Sequence, residues 1–183
     1  MSENDRQIAL IHRLLPEAEA QGLPLWLESG WAVDARLGRV TREHEDVDLA
    51  VPAEHMARFQ ALLRAHGASG FEVTDYGFLV RLDGVLLDCE PCLPVAGGYE
   101  LDGVPPGACP MEPEGVIDGL RVRCTSWQAI LWEYFFYLQE VPHEQWPLKD
   151  RRSYQAVRAA VGTACADAWH ASFLQARPGA GRS

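Results

Sequence analysis

The sequence predicts an α/β fold of the α+β kind: a small mixed sheet with flanking helices over residues 1–120, then a C-terminal helical domain over 121–178. Residues 179–183 form a tail expected to be disordered. Three observations carry this expectation. Short apolar runs alternate with amphipathic segments up to about residue 90. A Pro- and Gly-rich stretch interrupts regular structure between 91 and 120, with four glycines and three prolines between Gly97 and Pro110. Beyond it, the strongly apolar segment WQAILWEYFFYLQEV is followed by two further helical patterns.

Taken in order, residues 4–21 place Ile8, Ile11, Leu14 and Leu15 at helical spacing, bent or stopped near Pro16 and ended at Gly22. Leu23–Leu27 reads as a short strand. Ser29 and Gly30 turn the chain into a helix, Trp31–Leu37, that ends at Gly38. A second strand, Asp46–Val51, leads through Pro52 into a helix over 53–66, closed by Gly67. Phe71–Val73, Tyr76–Leu82 and Val85–Glu90 alternate as strands, the last two joined by an Asp83-Gly84 hairpin turn. Residues 91–120 read as an extended loop, with one short strand at Leu120–Cys124. Thr125 or Ser126 caps the apolar helix, and Gln128, three after Thr125, suggests a capping box. Two helices, 147–161 and 164–176, complete the chain.

Composition narrows the function. The chain has 183 residues, 16 Lys and Arg against 26 Asp and Glu, and a net charge of −10. It lacks a basic stripe able to track a phosphate backbone, which argues against nucleic acid as partner. An acidic cleft instead concentrates a cationic small molecule. No apolar run reaches the roughly 20 residues needed to span a bilayer, and the start, MSENDRQIAL, lacks the segments of a signal peptide. A cytoplasmic monomer is the expectation, and five cysteines, an odd number, fit a reducing compartment.

Asp46 and Asp48 stand one residue apart in a segment that otherwise reads as a buried strand. Residues i and i+2 share a strand face, so the two carboxylates repel unless a cation lies between them. Mg²⁺ is the natural candidate, since it takes oxygen ligands and leaves positions for phosphate and water. A solvated edge strand with two surface acids is the alternative. Asp88 and Glu90 repeat the spacing in LLDCEPC. Upstream, the Ser29-Gly30 turn puts backbone N–H groups at a helix N-terminus, where phosphate can approach closely.

A small-residue turn, D-x-D and a later strand carboxylate resemble the nucleotidyltransferase superfamily of the polymerase-β type. The likeness extends further. LPLWLESGWAVDARLGRVTREHEDVDLAVP, DYGFLVRLDGVLLDCEP, EGVIDGLRVRCTSWQAILWEYFFYLQEVP and WPLKDRRSY are similar to segments of the aminoglycoside 2''-O-nucleotidyltransferases, the gentamicin and kanamycin adenylyltransferases, from about Ile8 to Arg158. The resemblance implies transfer of AMP from ATP to an aminoglycoside hydroxyl, with release of pyrophosphate. It makes Asp46, Asp48 and Asp88 the catalytic acids that hold one or two Mg²⁺ ions, with Asp88 as metal ligand, general base or both, and brings Lys149 to the triphosphate. One departure is Glu28-Ser29-Gly30 where the family has a glycine-only turn. A Glu28 side chain aimed at the nucleotide lowers its affinity; one aimed at solvent changes little.

Ser29, Gly30, Arg42, His44 and Lys149 are thus the expected nucleotide-binding residues. His44 could touch phosphate, orient an acid or sit on the surface; Arg42, nearer Asp46, is preferred over Arg39. Asp75, Glu90 and Glu133 are candidates for the drug's ammonium groups, with Tyr76 and Tyr134 offering hydroxyls or aromatic faces. Most aromatic residues of the helix from Trp127 are expected in the core. Cys89-x-x-Cys92 has no second pair at zinc-site spacing. Alternatives are a lincosamide or other small hydroxylated acceptor, a metal-dependent phosphoesterase, and a non-catalytic aminoglycoside-binding protein.

Overall fold

Ser2 begins the first helix with a reciprocal cap: its hydroxyl accepts from the Asp5 N–H at 3.1 Å, and the Asp5 carboxylate accepts from the Ser2 N–H at 2.7 Å. The computed structural model describes residues 2–176, so the tail expected at 179–183 lies outside the described residues. Helix α1 (Glu3–Ala20) continues past Pro16 rather than stopping there. Leu10, Ile11, Leu14 and Ala18 are buried on both sides of the proline, and that packing holds the turn despite one missing hydrogen bond.

The chain then forms β1 (Trp26–Leu27), α2 (Ser29–Leu37) and β2 (Val47–Pro52). A single 3₁₀ turn leads into α3 (Met56–Ala65), followed by β3 (Ser69–Val73), β4 (Phe78–Leu82) and β5 (Val85–Val95). The Asp83-Gly84 hairpin has both residues at positive φ, the backbone a two-residue turn demands. The stretch expected to be an extended loop over 91–120 is more structured than its composition suggests, and the strand expected at Leu120–Cys124 forms at Leu120–Val122. Strand β5 continues through Pro91 and Pro94 to Val95 and pairs with β6 (Gly98–Glu100), and β7 (Gly115–Ile117) pairs with β8 (Leu120–Val122). The prolines lie where β5 has become a sheet margin, where a missing donor costs little.

The sheet order is β1-β2-β5-β4-β3, with only β2 and β5 parallel. Its two faces differ in kind. Val47, Leu49 and Val51 of β2, with Val85, Leu87 and Cys89 of β5, point into the main core against α1, α2 and α3. Trp26, Ala50 and Cys92 on the opposite face join a smaller cluster with Leu101, Ala108, Cys109 and Ala129. Cys89 and Cys92 therefore lie in different clusters, as opposite strand faces require.

Helices α4 (Trp127–Glu140), α5 (Leu148–Val161) and α6 (Thr163–Ala176) follow. Ser126 is the cap of α4, accepting from the Ala129 N–H at 3.2 Å, so the capping box from Thr125 to Gln128 does not form. Thr125 instead continues the sheet hydrogen bonding, donating its N–H to the Leu27 carbonyl. Trp132, Phe135 and Phe136 pack against Phe173 of α6. Among the described residues no helix is long and apolar enough to cross a membrane.

Candidate active site

The site grows from the strand register. Asp48 of β2 and Asp88 of β5 are directly paired in the parallel ladder, and Ala50 pairs with Glu90. Side chains at paired positions share a face, so Asp48, Asp88 and Glu90 all leave the sheet on the side away from the main core. The antiparallel pairing of β1 with β2 extends one residue further, where the Glu28 N–H donates to the Asp48 carbonyl at 3.0 Å. Glu28 thereby joins the same face. Glu133 arrives from α4, and its carboxylate accepts from the Ser29 hydroxyl at 3.1 Å. These five acids and Ser29 line a cavity of about 160 Å³.

No Lys, Arg or His forms an ion pair with any of the five among the described residues. The electrostatic consequence is uniform. Burial, then Asp46, Glu133 and Asp88, push the Asp48 carboxyl well above its usual range. Burial and Asp46 raise Asp88, and burial and Asp88 raise Glu90. Burial, with Glu133, Glu90 and Asp48 beside it, raises Glu28 strongly, while burial pushes Glu133 up to about 7. Asp46 lies just before β2 and does not line this cavity. It is half-buried, and burial and Glu45 raise it while Lys149 and Arg42 pull it down.

A basic cleft adjoins the acids. Thr41, Arg42, Lys149, Arg152 and Ser153 line a cavity of about 170 Å³ between the loop before β2 and helix α5, where the Lys149 ammonium meets the Glu45 carboxylate at 2.8 Å. Asp46 stands between the two halves, since its charge acts on Asp48 and Asp88 and feels Lys149 and Arg42.

The α2 N-terminus completes the arrangement. Ser29 opens the helix at φ 46°, a left-handed value unusual for a residue with a Cβ. The Ser29 and Gly30 amides precede the first intrahelical hydrogen bond, in which Ala32 donates to the Glu28 carbonyl. Gly30 has a steric reason: a Cβ there would come within 2.4 Å of the Arg42 guanidinium and 2.6 Å of His44 Nδ1. Arg42 and His44 are thus pressed onto the turn. His44 is buried, stacks on Trp31 at 4.2 Å and holds the Asp34 carboxylate through Nε2 at 2.7 Å. Asp34 also accepts from the Thr41 N–H and hydroxyl. Sequence reasoning passed over Asp34, although a lone acid inside the apolar helical run WAVDARL was the available signal.

A wider cavity of about 520 Å³ opens beside the acidic one, and Glu28, Glu90 and Glu133 face both. Asp75, Tyr76 and Asp102 lie on its rim side. The Asp75-Tyr76 turn is positioned by Gly77, where a Cβ would meet the Cys89 carbonyl at 1.9 Å. Of the residues expected at a cationic ligand, Asp75, Tyr76, Glu90 and Glu133 come together here. Tyr134 does not. Its ring packs against Trp146 and Tyr154, and burial raises its hydroxyl far above its ordinary pKa, because the α4 face one position on from Glu133 turns toward α5. Glu28 points neither to open solvent nor away from the acids but into both cavities.

Mg²⁺ was expected at Asp46, Asp48 and Asp88. No three His, Cys, Asp or Glu side chains are already gathered at metal-binding geometry among the described residues. The residues nonetheless fit a hard cation: all are oxygen donors, one buried oxygen of Asp88 has no hydrogen-bond partner, burial raises all three acids, and the Asp46 charge raises Asp48 and Asp88 further.

The chain belongs to the aminoglycoside-2''-adenylyltransferase family, whose model matches residues 10–155. It is therefore an adenylyltransferase, with ATP as co-substrate. It is 45% identical over 167 residues to a 2''-aminoglycoside nucleotidyltransferase of Escherichia coli, covering 91% of this chain and 94% of that protein. The crystal structure of ANT(2'')-Ia in complex with adenylyl-2''-tobramycin superposes with a TM-score of 0.90 at 44% identity, covering 95% of this chain and 99% of the other. The lincosamide adenylyltransferase LnuA, bound to lincomycin, shares the fold at a TM-score of 0.63 and 19% identity, over 81% of this chain and 94% of its own.

Proposed function

We propose that the protein transfers AMP from ATP to the 2''-hydroxyl of an aminoglycoside and releases pyrophosphate. The observation that carries this reading is the continuity of the two cavities. Glu28, Glu90 and Glu133 belong both to the acidic pocket around Asp48 and Asp88 and to the wider cavity rimmed by Asp75, Tyr76 and Asp102. A polycationic acceptor has five acids in the wider cavity, Glu28, Asp75, Glu90, Asp102 and Glu133, to meet its ammonium groups, which favours it over a lincosamide. Support also comes from ANT(2'')-Ia, whose complex contains adenylyl-2''-tobramycin.

In the proposed reaction the acceptor oxygen forms a bond to the α-phosphorus as the bond between that phosphorus and pyrophosphate breaks. The acceptor proton passes to Asp88, one of whose carboxylate oxygens is buried and unpartnered. Bound Mg²⁺, one or two ions held by Asp46, Asp48 and Asp88, would supply positive charge at the α-phosphate and at the leaving group. The Ser29 and Gly30 amides, Arg42 and Lys149 bind and align the triphosphate, and alignment is the larger part of catalysis in such transfers. His44 acts one step back, fixing the loop that carries Arg42 through its bond to Asp34.

Pyrophosphate release with ATP, Mg²⁺ and a panel of aminoglycosides tests the proposal. Release that requires a drug with a free 2''-hydroxyl is the expected result. Release only with lincomycin would replace the acceptor, phosphate release without any acceptor would favour a phosphoesterase, and drug binding with no Mg²⁺·ATP binding would leave a sequestering protein.

A further inference from the structure

Glu28 carries a buried carboxyl group that the transfer reaction leaves unassigned. The residue is only 5% exposed, yet its carboxylate caps no N–H of α2, and no hydrogen bond or ion pair meets it among the described residues. Continuation of the β1–β2 pairing sets it in one row with Asp48 and Asp88, the three strands about 5 Å apart. Its neighbours add only negative charge, from Glu133, Glu90 and Asp48. A carboxylate buried in this way is strongly disfavoured unless a cation completes it. The geometry of the row says which cation. Asp48 and Asp88 are committed to metal and acceptor oxygen in the reading above, Glu133 is held by the Ser29 hydroxyl, and Glu90 stands two residues further along the sheet, level with Ala50.

We propose that Glu28 is a specificity-determining residue whose carboxylate takes an ammonium group of the acceptor, the one carried on the carbon next to the hydroxyl that is modified. Vicinal substituents of a sugar ring lie within one strand spacing of each other. A hydroxyl presented beside Asp88 and Asp48 therefore turns the neighbouring amine toward the other end of the same row, where Glu28 waits in both cavities. This inference rests on the aminoglycoside reading above. It adds that the enzyme distinguishes acceptors by that one amine, and that a hydroxyl in its place leaves the Glu28 charge unpaired.

Calorimetry on the full chain with tobramycin, and with an analogue bearing a hydroxyl in place of that amine, tests the inference. Wild type is expected to prefer tobramycin. The preference, read as the ratio of the two dissociation constants, is expected to fall about tenfold or more in Glu28→Gln, the cost of removing one charged hydrogen bond. Glu28→Gly repeats the measurement should the glutamine disturb folding; its backbone, at φ −120° and ψ 177°, is extended and open to glycine. A preference absent from wild type or retained in both variants, or an equal loss of affinity for both ligands, overturns the assignment. Drug-dependent pyrophosphate release by wild type is measured alongside. Its absence defeats the transfer reading, while the binding ratio still decides the role of Glu28.

Discussion

The two halves of the site are built on opposite plans. The acidic half sits on neighbouring strands, and register alone brings Asp48, Asp88 and Glu28 into one row. The basic half joins Thr41 and Arg42 to Lys149, Arg152 and Ser153 across more than a hundred residues of chain. The acids face each other without counter-charge, and burial with repulsion raises every one. In the basic cleft Lys149 already has Glu45 as its partner. The acidic half therefore gathers carboxyl groups with no counter-charge, whereas in the basic half Lys149 is already compensated by Glu45. Stability and catalysis pull apart in the first half and much less in the second.

The largest expected effect breaks the acidic half. Asp48→Asn should lower turnover by about a hundred- to a thousandfold, the usual cost of removing one preorganised electrostatic partner. It should also raise the thermal midpoint of the unliganded protein, because a charge buried among like charges is lost. Unchanged pyrophosphate release would remove Asp48 from the machinery. Lys149→Met breaks the basic half instead. ATP affinity measured by calorimetry should fall about tenfold to a hundredfold, as for one lost charged contact, with no gain in stability comparable to that of Asp48→Asn.

The contrast also sets a pH dependence. Glu133 is held up to about 7 against an ordinary 4.5, and the other cavity acids are raised as well. Over that window the folded protein keeps protons that the unfolded chain has released, so its stability falls as pH rises from about 4.5 toward 7. The unliganded protein should melt a few degrees higher at about pH 5.5 than at about pH 8, and tobramycin or Mg²⁺ should recover much of the difference at the higher pH. A melting temperature that rises with pH would show the acids to be compensated after all.

The smallest effect lies where the halves meet. Ser29→Gly relieves a side chain at φ 46°, a gain of roughly 1 kcal/mol, and loses the hydroxyl's bond to Glu133, a cost of about the same size. Urea denaturation should find the variant within about 1 kcal/mol of wild type. A larger loss would mean that Ser29 anchors α4 to the turn more firmly than a single bond implies.

By itself the sequence determined the helices, the strands up to Glu90 and the shared face of the acids: alternation marked those strands, Gly38 and Gly67 ended α2 and α3, Asp83-Gly84 turned the β4–β5 hairpin, and carboxylates two apart on a strand had to share a face, while β6 and β7 lay in a stretch read as loop. Helix α1 passing through Pro16, β5 extending past Pro91 and Pro94, and Ser126 rather than Thr125 capping α4 are outcomes of packing and sheet position that local propensity does not contain. The tertiary structure alone decided three features of the site. It turned Glu28 into the acids, because antiparallel pairing continues one residue beyond β1. It turned Tyr134 away from them into a ring stack with Trp146 and Tyr154. It brought Thr41 and Arg42 of the loop before β2 to Lys149 and Arg152 of α5, with Asp34 holding that loop through Thr41 and His44. Periodicity records which side of its own element a residue occupies; which other element stands on that side depends on how distant segments pack, and that is a property of the whole fold.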